Sequence, residues 1–265
     1  MKKMSLLFSI LLLLSACSGT QEEGTDGNSG GDLPEKAEKI KVTWGDGGGM
    51  LDLSTQIYIS NDSCSWNYRK NGYEKHIGFE VSESELNGLY KVFVDNEFNK
   101  IKARSEGEVY DRGGVGISLD VDGEFYRADN SGSNFIEADW TENWRNVSSA
   151  ITSLADSKME EKKFEARVLL DESILELNYP MNVSVDGPIL YTSDDGPMNP
   201  NQRAEGFKVQ LLEGPTEIDV YLFYPDSLNS YGGKATYLWA SEGFDFSPEN
   251  NTATFYLEGE KLLLK

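Results

Sequence analysis

Histidine and cysteine are scarce in this chain of 265 residues, with one His and two Cys. That excludes a disulfide-dense scaffold and a zinc site built from several thiolates or imidazoles. Hydrolysis by a Ser/His/Asp or Cys/His unit would have to run through His76, the sole imidazole, and no G-x-S-x-G elbow accompanies it. The glycine run at 47–49 lacks the Lys-Ser/Thr that cradles phosphate, and no dinucleotide fingerprint is present. Basic residues are also few: 24 Lys and Arg stand against 45 Asp and Glu, a formal charge of −21. A polyanion is repelled by that balance, so nucleic acid is not an expected partner. No apolar run reaches the roughly 20 residues that span a bilayer as a helix. Hydrophobic residues at 38% and charged residues at 26% fit a globular chain, long enough for one large or two ordinary domains.

What is present is clearest at the N-terminus, MKKMSLLFSILLLLSAC. Lys2 and Lys3 precede an apolar stretch from Met4 to Leu14, interrupted by Ser5 and Ser9. The stretch has the size of a secretory h-region. Leu14-Ser15-Ala16-Cys17 resembles the lipobox of bacterial lipoproteins. That resemblance implies removal of residues 1–16 as a signal peptide and acylation of Cys17. Palmitate is the expected kind of chain. Two or three acyl chains turn a soluble chain into a stably anchored one, at about 0.8 kcal/mol per buried CH₂. Ser18, where an Asp would imply retention at the inner membrane, implies the outer membrane, on its periplasmic side or at the cell surface. The acids Glu22, Glu23 and Asp26 resemble the leader of some surface-exposed lipoproteins, and a solvated linker explains them as well. Residues 17–35 read as an acylated Cys followed by a flexible tether rich in Gly and acids, with Leu33 its one aliphatic residue.

Residues 36–158 read as an α+β module, an antiparallel sheet with two helices on one face. Runs 39–44, 55–60, 64–68 and 76–81 alternate polar and apolar between turn clusters, as half-buried strands do. Gly45 to Gly49 reads as the turn after the first, and Gly72 as a turn between strands. Ser82 and Glu85 form a capping box, followed by Leu86, Leu89, Tyr90, Phe93 and Val94 at helical spacing. A second helix is expected from an Asp139 cap pattern, with Trp140, Trp144, Val147, Ile151 and Leu154 as its core stripe. Asp122-Gly123 between two strand-like runs signals a hairpin.

Residues 164–265 read as an all-β sandwich, immunoglobulin-like as one option. Short alternating runs are expected as strands at 165–170, 173–177, 182–185, 189–192, 207–212, 217–224, 235–240, 252–257 and 261–264. Turn clusters at Asp186-Gly187-Pro188, Asp194 to Pro197, Gly214-Pro215 and Gly232-Gly233 punctuate them. The segment 197–205 reads as a long polar loop. Residues 159–163 either extend the second helix or act as a hinge.

Candidate sites are few. Cys17 is the expected lipid-attachment residue. Arg112, beside Asp111 and two glycines, is either a charged turn or a ligand contact, since a guanidinium pairs bidentately with carboxylates. Asp194 and Asp195 beside the polar loop are weak calcium candidates, because calcium takes oxygen ligands. Asp120 to Glu124 lacks the glycine and distal glutamate of a calcium loop, and a hairpin explains it. Cys64 is expected to be a small buried strand residue. No catalytic residue, no metal and no cofactor is assigned. The expected function is a lipid-anchored envelope protein with a binding or structural role toward a protein or saccharide. The alternative is a carboxylate-dependent hydrolase of envelope or extracellular polymers.

Overall fold

A computed structural model describes residues 31–48, 52–107, 109, 112–177, 179–186, 188–192, 197–223, 237–259 and 261–265. The described chain is mostly β, in several sheets. Cys17, Asp111, Asp194, Asp195 and the Gly232-Gly233 turn lie outside the described residues. Among the described residues, no helix is long and apolar enough to cross a membrane.

The chain opens with four antiparallel strands, β1 (Ile40–Gly47), β2 (Leu53–Ser60), β3 (Cys64–Lys70) and β4 (Tyr73–Phe79). Two more, β6 (Gly114–Val121) and β7 (Glu124–Asn130), complete a six-stranded sheet in the order β4-β3-β2-β1-β6-β7. A short pair, β5 (Ala103–Ser105) and β8 (Asn134–Ile136), stands apart. Strand alternation puts Val42, Trp44, Ile57, Ile59, Ile117, Leu119 and Tyr126 on one buried face. Helices α1 (Glu83–Asp95) and α2 (Thr141–Glu160) supply Leu86, Leu89, Phe93, Val147, Ile151 and Met159 to the same core.

Local chemistry explains these boundaries. The Ser82 hydroxyl accepts from Glu85 N at 3.2 Å while Ser82 N donates to the Glu85 carboxylate at 2.7 Å, closing the capping box of α1. Asn71-Gly72 and Asp122-Gly123 make two-residue hairpin turns with φ of 51°, 82°, 51° and 91°. Asp122 is held further by accepting from the backbone N–H of Lys39 at 2.8 Å.

The second half adds β9 (Phe164–Leu170), β10 (Met181–Val185), β11 (Ile189–Thr192) and β12 (Phe207–Leu211). It ends with β13 (Gly214–Phe223), β14 (Tyr237–Phe246), β15 (Thr252–Glu258) and β16 (Lys261–Leu264). Two four-stranded sheets result, β11-β10-β13-β14 and β12-β9-β15-β16, with β9 and β15 parallel. Val183, Ile218, Val220 and Leu222 of one sheet share a core with Ala166, Val168 and Phe255 of the other.

Several expectations are corrected. The end of the expected tether, 31–35, lies against the first core: Leu33 is buried there, and the Tyr90 hydroxyl donates to Pro34 O at 2.7 Å. Gly45 to Gly47 belong to β1, because pairing continues to Gly47 opposite Ser54. Asp139 caps nothing, since a 3₁₀ turn occupies Ala138–Trp140 and Trp140 precedes α2 without a side-chain cap. Trp140 and Trp144 only flank the core, whereas Trp44 is buried and donates from Nε1 to Ser148 Oγ at 2.9 Å. The expected strand at 173–177 gives way to a helix, α3 (Glu172–Leu175), because Asp171 accepts from Ser173 N at 3.0 Å. The polar segment 197–205 contains α4 (Pro200–Glu205), with an Asn199–Gln202 capping box and Pro at its first turn. Gly214-Pro215 opens β13 and makes no turn.

Phe93 is fully buried in α1 and meets Phe98 edge-on with ring centres 4.9 Å apart. Phe93→Ala is expected to cost about 3–5 kcal/mol in urea unfolding. Leu53→Ala, at an exposed position, is expected to change stability by at most about 0.5 kcal/mol.

Candidate functional site

The outward face of the sheet β11-β10-β13-β14 is the surface on which most of the remaining chemistry gathers. Along β13, Thr216, Ile218, Val220 and Leu222 point into the core, so Glu217, Asp219, Tyr221 and Phe223 point out. On β14, register places Gly243 opposite Glu217, Ser241 opposite Asp219, and Trp239 opposite Tyr221. On β10, Ser184 and Asn182 stand opposite Asp219 and Tyr221.

One end of this face is where the first half docks. A Cβ on Gly243 would overlap Cε1 of Tyr73, so the tyrosine ring sits directly on that glycine. Asn71 Nδ2 donates to Glu217 Oε2 at 3.1 Å, and Lys70 Nζ lies 3.9 Å from the same oxygen. The side chain of Lys75 is 5% exposed; its ammonium donates to Thr216 Oγ1 at 2.7 Å and pairs with Asp186 at 3.5 Å. Burial pushes the Lys75 amine below the ordinary lysine value, while Asp186 opposes that shift. Tyr73 and Tyr68 are both raised, first by burial and then by Glu217 and its acidic neighbours.

Among the described residues, the other end of the face is open. The rings of Tyr221 and Trp239 lie within 14° of parallel with centres 5.9 Å apart, and Trp239 is 53% exposed. Ser184 Oγ donates to Asp219 at 3.4 Å beside them. Period-two alternation with Ile218, Val220 and Leu222 puts Tyr221 and Phe223 opposite the apolar face of their strand. It could not show that Trp239 stands beside Tyr221, since strand pairing is spatial.

Elsewhere, a cleft of about 910 Å³ runs along the edge of the first sheet, between Cys64, Phe79 and the ends of α1 and α2. Lys158 Nζ meets Glu85 Oε1 there at 2.8 Å. The Lys158 ammonium and the bonds from Ser82 lower the Glu85 carboxyl from 4.5 to about 2. Cys64 lines the same cleft as a buried free thiol that donates to Ser60 O at 3.7 Å, and burial raises its pKa. It makes no unit with His76. Cys64 pairs with Phe79 whereas His76 pairs with Asn67, on the opposite face of the sheet. A smaller recess of about 520 Å³ lies beside α4.

Arg112 is spoken for by the link between β7 and β8. Nη1 donates to Gly132 O at 2.9 Å and Asn134 O at 2.7 Å, Nη2 donates to Asn130 Oδ1 at 2.6 Å, and the guanidinium stacks 3.9 Å over Phe135. These bonds clamp the link between β7 and β8. Among the described residues, no group of three or more His, Cys, Asp or Glu is placed to hold a metal ion.

Gly243→Ala is expected to push Tyr73 off the second half. In a double-mutant cycle by calorimetry, its penalty should shrink when Tyr73→Ala is already present, and additive penalties would contradict the docking. A carboxyl held lower in the folded state stabilises above its unfolded value and loses that contribution as it is protonated. Between pH 4.5 and about 2, Glu85→Gln should therefore flatten the loss of stability in urea titrations. Parallel curves for the two proteins would contradict the Lys158–Glu85 pairing.

No protein-family model, no curated protein and no solved structure matches this chain.

Proposed function

We propose that this chain is a lipid-anchored protein of the cell envelope that binds a protein or saccharide partner and performs no chemistry on it. The observation that carries the reading is the Leu14-Ser15-Ala16-Cys17 motif behind Lys2, Lys3 and a short apolar run. Cys17 is the lipid-attachment residue, and Ser18 favours the outer membrane. The acidic residues after it act as a tether as far as about residue 30. The folded part then comprises an α+β module over 36–158 and a β-sandwich over 164–265. Two helices and a six-stranded sheet sharing one core support the first. Two four-stranded sheets sharing another core support the second. The immunoglobulin likeness rests on strand number alone.

A binding role is supported by the exposed Trp239 beside Tyr221 on an outward sheet face. The hydrolase alternative needs a carboxyl raised toward neutrality as general acid. Asp32, Glu85 and Asp171 are all held below their ordinary values, the wrong direction for that task.

The anchor is tested by detergent phase partition of protein expressed in a bacterial host with lipoprotein processing. The wild-type chain should enter the detergent phase. Cys17→Ser should keep its leader and incorporate no labelled palmitate. Equal palmitate labelling of both forms would contradict the assignment.

A further inference from the structure

We propose that the open end of the β11-β10-β13-β14 sheet binds a neutral polysaccharide chain, with one sugar ring stacked on Trp239. This inference rests on the binding role proposed above and gives that role a ligand class.

A pyranose has an apolar face of C–H groups and a rim of hydroxyls. It therefore suits an exposed aromatic face with hydrogen-bonding groups close by. Trp239 supplies the ring, at 53% exposure. Tyr221, 5.9 Å away and within 14° of parallel, braces it, so little side-chain entropy is left to lose on binding. The rim partners stand on the same face. Asn182 offers an amide opposite Tyr221. Ser241 and Ser184, on either side of Asp219, donate to Glu217 at 3.1 Å and to Asp219 at 3.4 Å, which leaves their oxygens to accept, and Asp219 offers a carboxylate.

Charge narrows the ligand further. The strands β10, β11, β13 and β14 contain no Lys or Arg, while β13 and β14 contain Glu217, Asp219, Glu242 and Asp245. Among the described residues, a uronic-acid polymer, a phosphate headgroup or nucleic acid would meet Asp219 and Asp245 on the outward phase, while Lys70 is taken up by Glu217 at the docked end. The surroundings favour a polymer over a free sugar. Trp239 lies on β14, an edge strand of an open sheet, so a chain can pass across it without an enclosing pocket. At the far end, Tyr73 on Gly243 closes the face with the first half.

The test is affinity electrophoresis of the full chain, purified in mild detergent, in native gels containing neutral or acidic polymers. The neutral probes are a mixed-linkage β-glucan, a galactomannan, amylose and soluble glycol chitin. The acidic probes are alginate and polygalacturonate. Retardation is expected in at least one neutral gel and in neither acidic gel. Trp239→Ala should weaken that retardation at least tenfold while lowering the thermal transition by only the few degrees that loss of the Tyr221 stack implies, and Trp239→Phe should restore part of the retardation. Absence of retardation in every neutral gel overturns the proposal, as does retardation that Trp239→Ala leaves unchanged. So does a Trp239-dependent association with phosphatidylcholine vesicles, or with a second copy in sedimentation, when the neutral gels are blank. Blank neutral gels together with cross-linking to an envelope protein remove the saccharide and leave the binding role. Blank results in both remove the two together.

Discussion

The side chains of β13 alternate between two environments, and much of the second half depends on that period of two. Ile218, Val220 and Leu222 close the core between two sheets. The residues between them face outward, where Glu217 accepts from Asn71 of the first half and Tyr221 stacks on Trp239. A slip of one residue would bury Glu217 and Asp219 and expose the aliphatic row. Docking of the two halves is bound to the same register through Thr216, which receives the Lys75 ammonium at 2.7 Å. Desolvation takes back much of the attraction between Lys75 and Asp186, so the pair is a poor source of net stability. Misplacing the halves is costly, because the ammonium would stay buried without its oxygens.

Electrostatics and anchoring belong together. The full chain carries a formal charge of −21, and loss of Lys2 and Lys3 with residues 1–16 makes the remainder more negative still. Anionic lipid headgroups repel such a body, so attraction to the bilayer surface cannot hold it there. The acyl chains proposed at Cys17 would supply attachment that does not depend on attraction to the headgroups. The same excess of acid narrows the ligands the outward sheet can accept. If it is held at the envelope as proposed, a weak binding face would gain from high local concentration of both protein and polymer.

Much of the local structure is legible in the residues. Ser82, Glu85 and the apolar spacing after them mark α1, and Asp122-Gly123 marks its hairpin, because both signals act within a few residues. Helices α3 and α4 are too short to show a helical period. The cap of α4 is nonetheless written in Asn199, Pro200 and Gln202, masked by a polar composition that reads as loop. Lys75 shares the phase of Ile77 and Phe79 along β4, a sign of burial that its charge hides. The placement of β1 between β2 and β6, and the parallel pairing of β9 with β15, join residues far apart in the chain. Local pattern carries no record of such pairings. For the site, the motif at Cys17 and the outward phase of Tyr221 are both readable. The pairing with Trp239 and the occupation of Arg112 by carbonyls come only from tertiary structure.

The most direct measurement is the mass of the N-terminal peptide from protein purified out of its native membranes. A peptide beginning at Cys17 and heavier by a diacylglycerol group, with or without a further acyl chain on its amine, is the expected result. A peptide that still begins at Met1, or an unmodified Cys17, would contradict a lipid-anchored envelope protein.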